Sequence, residues 1–373
     1  MCNFAQKADH METKQLKPLP VGIQTFDKLI EGGYLYVDKT AYLYSRCRGL
    51  YTYWSCGYGY AHGQDIIPLR VEIESKCGGC HEPDSRLEDC IPIINVIMKV
   101  AVIVLNYNSS DDCRKCISDL KRQEGVELEI IIVDNCSRTE DALAVEKLAA
   151  EQGCTFIAAK ENRGYNAGNN IGLRYAAEKG YEYALIANPD MEFPQRDYVY
   201  SLAKKLEDDP MVAVVGSNIS NPSGLHQNPL REIAYWEELL WPIVYIRNYK
   251  SRKWYTCNHE ESGYCEKVSG CCMMICISFL DEINFFDENV FLYSEEAILA
   301  KQVKTCGRRI YFLADAMAFH NHICNQKGDS KKRMRVLYKS RNYYLRKYSG
   351  YKGVRLHMLL FSRRIQYYIR ERL

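Results

Sequence analysis

The chain has no apolar run long enough to span a bilayer. Its longest candidate, ELLWPIVYI, falls well short of the roughly 18–20 residues a crossing helix needs. No charged start leads into an apolar middle at Met1, so no secretory leader is expected. The stretch RCRGLYTYWSCGYGYAHGQ contains neither GKS nor GKT, which excludes a phosphate loop there. The strict G-x-G-x-x-G that follows the first strand of a dinucleotide-binding domain is missing as well. Cysteine is not scarce, but the 17 present are odd in number and scattered in spacing. Free thiols in a reducing cytoplasm are expected rather than a disulfide framework. One cluster, CGGCHEPDSRLEDC, puts Cys77, Cys80, His81 and Cys90 close together. A single CxxC without a well-spaced second pair favours a cysteine-rich linker over a zinc site.

What is present is an ordinary apolar fraction, 47% of 373 residues, enough for a packed core. The net charge of +2 conceals an asymmetry. Residues 331–373 hold 14 Lys or Arg against the single acid Glu371, about +13, which leaves about −11 for the preceding 330 residues. An acidic body carries a basic tail.

From Met98 onward the pattern alternates. KVAVIVLNYN reads as a buried strand, a helix is expected from about Ser109 to Gln123, and LEIIIVDN is a second strand. TEDALAVEKLAAEQG and NAGNNIGLRYAAEKG then read as helices, with CTFIAAKENRG and YEYALIANPD as strands. Strands and helices alternating through short loops predict βαβ units and a mostly parallel sheet. Ligands of such sheets sit at the carboxyl ends of the strands. There this chain gathers Asn106, Asn108, Asp134, Asn135, Asn188 and Asp190, followed by a loop with Asn162, Arg163, Gly164 and Asn169 that opens a helix. Glycines beside a helix N-terminus suit an anion, so a nucleotide or other phosphate ligand is expected.

Five segments in order, VAVIVLNYN, IIIVDNCS, ENRGYNAGNNIG, LIANPD and FDENVFLYSEEAILAKQVKTCGRRIYF, resemble family 2 glycosyltransferases. The similarity is greatest to the rhamnosyltransferase-like branch that builds bacterial surface polysaccharides, and it covers about residues 98–345. The resemblance implies a GT-A fold, a nucleotide-diphosphate sugar donor and a divalent metal, Mg²⁺ or Mn²⁺. It implies contacts to the donor from Asn106, Asn108, Asp134, Asn135, Asn162, Arg163, Gly164, Asn169 and Asn188. Asp190 takes the metal-carboxylate role, although Asn188 stands where a D-x-D motif would have its first acid. One carboxylate with phosphate oxygens and water suffices for such ions. His320, in ADAMAFHNH, is the candidate second ligand, with a buried structural histidine as the competing reading.

The acceptor hydroxyl needs a general base. The resemblance places it in the acidic pair of FLYSEEAILAKQ, with Glu296 the first candidate and Glu295 the second; acids are also favoured at any helix N-terminus. Gly270, in VSGCCMMI, would allow close backbone approach on the acceptor side.

The basic tail interleaves cations with apolar residues, as an interfacial helix on an anionic membrane does. The glycosyltransferase resemblance favours the membrane over nucleic acid, because it implies a lipid-linked saccharide acceptor; packing on the acidic body is the third possibility. The expected organisation is an N-terminal extension over 1–97, a catalytic domain over 98–330 and a basic helical tail over 331–373. Residues 17–45, from KPLPVGIQTFDKLIEGGYLYVDKT onward, resemble the opening of a bacterial AAA-ATPase-like family and break off before its functional loop. Met98 is therefore expected to serve as well for a start as Met1. The implied protein is an inverting, peripheral enzyme at the cytoplasmic face of the cell membrane. A non-catalytic nucleotide-sugar-binding protein and an ATPase-related interaction protein are the alternatives.

Overall fold

The structure, a computed structural model, describes residues 43–47, 50–54, 98–248, 257–321 and 329–372. Cys77, Cys80, His81, Cys90 and His322 lie outside the described residues, as does the segment 17–42. The chain divides into two units, Met1–Val96 and Ile97–Leu373. Of the first, β1 (Leu43–Cys47) and β2 (Leu50–Trp54) are described, an antiparallel hairpin with Leu43 opposite Trp54.

The second unit begins with three βα repeats. Strand β3 (Met98–Asn106) leads into α1 (Ser110–Leu120), β4 (Val126–Asp134) into α2 (Thr139–Gln152), and β5 (Thr155–Ala158) into α3 (Tyr165–Glu178). Next come β6 (Tyr183–Ala187), β7 (Met191–Glu192), α4 (Tyr198–Asp208) and β8 (Val212–Ser220). The short helices α5 (Tyr235–Leu239) and α6 (Trp241–Asn248), strands β9 (Gly263–Cys265) and β10 (Cys272–Cys276), and α7 (Ile277–Glu282) follow. Helix α8 (Glu295–Thr305), strand β11 (Arg309–His320), and helices α9 (Ser330–Lys347) and α10 (Gly353–Arg372) complete it.

Each element has a local cause. Helix α1 buries Cys113, Cys116, Ile117 and Leu120, the i, i+3, i+4, i+7 spacing of one helical face. It is shorter than the stretch expected from Ser109 to Gln123, because residues 121–125 form the turn into β4. Helix α2 stops at Gly153, whose left-handed conformation closes its last turn. Strands β3 and β6 are buried on both faces, which is why they read as unbroken apolar runs.

The strands join in one nine-stranded sheet of order β5-β4-β3-β6-β10-β8-β11-β7, with β9 on β11. β5, β4, β3 and β6 are mutually parallel; β10 runs antiparallel between β6 and β8, and β11 is parallel to β8. The long strands thus share one direction, apart from β10. One apolar cluster lies on each face, around Val102, Val104 and Leu148 on one side and Ile103, Leu173 and Phe279 on the other. The chain runs outward from β3 to β4 and β5, then returns to β6 on the opposite flank. That reversal opens a crevice beyond the carboxyl ends of β3 and β6.

The basic segment is docked rather than free. Helices α9 and α10 share a small apolar core with α8, through Tyr344, Leu345, Leu359 and Ile298. Arg341 forms two hydrogen bonds with Glu238, at 2.7 and 2.6 Å, with both side chains nearly buried. Asp287 receives hydrogen bonds from Tyr343, Tyr348 and Lys347.

Candidate active site

The register of β3 and β4 sets Asn106 beside Asp134 at the rim of the crevice. Asn106 is fully buried, and its amide donates to Asp134 Oδ1 and Asp141 Oδ2, each at 2.8 Å. The other Asp134 oxygen accepts the Ser137 N–H at 3.0 Å. Burial raises the Asp141 pKa, but hydrogen bonds from Asn106 and Ser110 outweigh it and hold the group below its ordinary value. Asn108, exposed and left-handed at φ 56°, accepts the Arg138 N–H at 2.9 Å. These contacts fix the two loops that frame the first half of the crevice.

The asparagine-rich loop splits into two groups. Asn166 and Asn170 donate to the Asp287 and Phe286 carbonyls, at 2.8 and 2.9 Å. They clamp the segment that leads into α8. Asn135 donates to Asn162 Oδ1 at 3.2 Å and the Gly164 carbonyl at 3.3 Å, and Asn169 donates to the Tyr165 carbonyl at 3.0 Å. The side-chain oxygens of Asn135 and Asn169 are buried with no hydrogen-bond partner. Gly164 has φ 103°, and a Cβ there would lie 2.3 Å from the Phe291 carbonyl oxygen, so no other residue fits without moving the backbone. Arg163 pairs with Glu288 at 3.0 Å. Asn135, Arg163, Gly168, Asn170, Arg174 and Glu288 line a cleft of about 210 Å³.

Asp190 and His320 meet through strand pairing. β7 runs antiparallel to the end of β11 with Met191 opposite His320, and the Asn321 N–H donates to the Asp190 carbonyl at 2.9 Å. The His320 Nε2 consequently lies 3.2 Å from Asp190 Oδ1, with both side chains mostly buried. On the far side of the ring, Nδ1 lies 2.9 Å from Gln227 Oε1. A carbonyl oxygen can only accept, so Nδ1 carries a proton and Nε2 is the atom presented to Asp190. Burial lowers the His320 pKa, but the Asp190 carboxylate and Cys271 outweigh it and hold the pKa at about 10. Asn188, just before the pair, is fixed by its N–H to the Cys271 carbonyl at 2.8 Å.

With the Nε2 proton displaced, as metal binding to histidine requires, this pair fits a divalent ion. Neighbouring ligands on an octahedral ion with bonds of 2.0–2.1 Å lie roughly 3 Å apart, and carboxylate with imidazole is a donor set that Mn²⁺ accepts. Among the described residues no group of three or more His, Cys, Asp or Glu could hold a metal. The other positions would therefore fall to phosphate oxygens and water, as is usual for such ions.

The acidic pair opens α8 behind left-handed Tyr293 and Ser294. Glu296 Oε1 accepts the Gly270 N–H at 3.4 Å, while the Gly270 carbonyl accepts the Tyr165 hydroxyl. Gly270 thus joins the asparagine-rich loop to the acidic pair. Glu295 is more enclosed, with Oε2 buried and unpartnered. Burial, then the neighbouring Glu296 charge, pushes its pKa up to about 8. Reading the sequence did not single out Tyr165, Gln227, Glu288 or Lys267. The first three act through partners far away in the chain; Lys267 is held below its ordinary pKa by burial, against the opposing charge of Glu296.

Fold and crevice define an α/β protein with a polar site at the carboxyl ends of its sheet, the architecture expected of a GT-A nucleotide-diphospho-sugar transferase. Residues 101–282 match the family model Glycosyl transferase family 2. It is 26% identical over 200 residues to the low-salt glycan biosynthesis hexosyltransferase Agl10 of Haloferax volcanii, across 53% of this chain and 59% of that protein. It is 30% identical over 105 residues to the succinoglycan biosynthesis protein ExoO of Rhizobium meliloti, across 28% of this chain and 29% of that one. The chain therefore matches well under two thirds of the length of these relatives. Among solved structures it is similar to the mannosyltransferase PcManGT of Pyrobaculum calidifontis in complex with GDP-Man and Mn²⁺, with 18% identity, TM-score 0.47, and 70% and 69% of the two chains covered. It is also similar to S. aureus TarS 1–349 in complex with UDP-GlcNAc, with 15% identity, TM-score 0.48, and 70% of each chain covered.

Proposed function

We propose that this protein transfers a sugar from a nucleotide-diphosphate sugar to a hydroxyl of a lipid-linked saccharide, with inversion, in cell-surface polysaccharide synthesis. The observation that carries the proposal is the convergence of Asp190 and His320, 3.2 Å apart, on the rim of the crevice in a family 2 glycosyltransferase domain. Asn135, Asn162, Arg163, Gly164 and Asn169 bind the nucleotide side of the donor. Asn106, Asn108 and Asp134 hold the loops that border it, and Asn188 positions the start of the metal segment.

Asp190 and His320 would hold Mg²⁺ or Mn²⁺, which would supply Lewis acidity for a departing diphosphate. Glu296 takes the proton of the acceptor hydroxyl as it attacks the sugar carbon. Glu295, protonated at neutral pH by virtue of its raised pKa, lowers the charge density beside Glu296 and leaves it as the acceptor of that proton. Gly270 gives the acceptor close approach to Glu296. The lipid-linked acceptor places the enzyme at the inner face of the cell membrane.

A panel of UDP-, dTDP- and GDP-sugars, scored for metal-dependent nucleotide release, tests the reading. Release from at least one donor, abolished by chelation, is the expected result. Thermal protection by a donor without any release would mean a binding protein.

A further inference from the structure

The outer face of α10 carries an apolar stripe that the fold leaves uncovered. Val354, Met358, Phe361, Ile365, Tyr368 and Ile369 recur at helical spacing, and each is between 42% and 75% exposed. The rest of the helix is already held in place: Leu359 is fully buried, Ser362, at the edge of the stripe, donates to the Leu239 carbonyl at 2.8 Å, and Tyr367 stacks on Tyr338 of α9. The helix cannot turn the stripe inward without breaking these contacts. On a helical wheel of 100° per residue the six residues fall within roughly 100°, which makes a continuous apolar band. Exposed Arg355 borders it on one side, and exposed His357 and Arg364 on the other. Nearby, α6 lines a cleft with Arg363 and Arg370 of α10 through Trp241 and Tyr245. It leaves Ile243 and Ile246 61% and 76% exposed.

We infer that α10 lies in the plane of an anionic lipid surface, with this stripe in the acyl boundary and the flanking cations at the headgroups. This deepens the proposed function, on which it rests for the lipid-linked acceptor. An apolar face bordered by Arg is the pattern of an interfacial helix. Charge selects the occupant: residues 331–373 hold 14 Lys or Arg and one acid. A second copy docking stripe to stripe would bring two such surfaces together, whereas anionic lipids neutralise them. Several cations of α9 are already paired, Arg341 with Glu238, Lys347 with Asp287 and Arg335 with Glu371. The apolar stripe therefore supplies the insertion, and the cations left beside it, Arg355 and Arg364, supply the preference for anionic headgroups. Among the described residues no helix is long and apolar enough to cross a membrane, so the arrangement is superficial.

Flotation of the full chain with vesicles of equal parts phosphatidylcholine and phosphatidylglycerol tests the inference. The intact protein is expected to float with them and to bind phosphatidylcholine alone far less. The double variant Phe361→Ser/Ile365→Ser, both exposed positions, is expected to keep the wild-type melting temperature and lose about tenfold or more in vesicle affinity. Arg355→Glu/Arg364→Glu should lose the preference for phosphatidylglycerol. Wild-type flotation by the serine variant would overturn the inference. So would a wild-type dimer in sedimentation that the serine variant converts to monomer, because the stripe would then be covered by a second copy. Nucleotide release from soluble donor should be unchanged in the serine variant. Absence of release from every protein would refute the glycosyltransferase reading while leaving the vesicle result to stand by itself.

Discussion

Glu295 and Glu296 are adjacent acids at the start of one helix, yet their side chains meet different surroundings. Glu295 buries an oxygen without a partner and is raised to about 8, while Glu296 reaches the Gly270 N–H across the crevice. Glu296→Gln is therefore expected to lower transfer by about 10²–10⁴-fold, the usual contribution of a general base, with donor binding unchanged. Glu295→Gln should retain most of the activity, because the native group already carries a proton at neutral pH. Transfer rates and donor titrations of the two variants check this; a dead Glu295→Gln beside an active Glu296→Gln would reverse the roles.

The same burial ties stability to pH. The Glu295 carboxyl ordinarily titrates at 4.5 and here at about 8. Between those values the unfolded chain releases the proton and the folded chain keeps it, so stability falls as pH rises through the window. Glu295→Gln removes this titration. Urea unfolding at about pH 5 and about pH 8 should show the variant gaining on the wild type at the higher pH. An equal difference at both values would mean that Glu295 is not protonated in the fold.

The Arg341–Glu238 pair is the polar anchor of α9. Arg341→Met leaves the buried Glu238 without its bidentate partner and with Arg363 at 4.0 Å. A loss of about 3–5 kcal/mol is expected in urea unfolding. A loss below about 1 kcal/mol, typical of exposed pairs, would show that the anchor is solvated.

Gly164→Ala places a Cβ 2.3 Å from the Phe291 carbonyl oxygen at φ 103°. The backbone must shift, at a cost of about 1–3 kcal/mol. Because the Phe291 segment leads into the acidic pair, the variant should lose transfer by more than its melting temperature suggests. Wild-type kinetics with a wild-type melting curve would show that the loop is not rigid.

The parallel half of the sheet was legible because β3, β4 and β6 are buried on both faces and read as apolar runs. The insertion of β10 between β6 and β8 was not, since CMMIC is short and its place depends on pairing with strands far back in the chain. The asparagine-rich loop stood out as polar, but the sequence could not separate Asn135 and Asn169 from Asn166 and Asn170. The carbonyls that Asn170 and Asn166 clamp lie 116 and 121 residues downstream. Gln227 carries no motif and matters only through His320. Asp190 and His320 could both be named from the sequence, whereas their approach to 3.2 Å depends on the register of β7 on β11. The tail read correctly as basic and helical, while its docking on α5 and α8 depends on apolar residues scattered among the cations.

Nucleotide release by wild type and Asp190→Ala, measured across the donor panel with Mn²⁺, with Mg²⁺ and after chelation, bears most directly on the proposed chemistry. The wild type should turn over at least one donor only when a divalent ion is present. Asp190→Ala should stay folded, with a melting temperature lowered by the loss of the carboxylate beside His320, and release no nucleotide with either ion. Turnover by Asp190→Ala equal to the wild type at saturating donor and metal, or wild-type turnover that survives chelation, would contradict the assignment of Asp190 and His320 as the metal-holding pair.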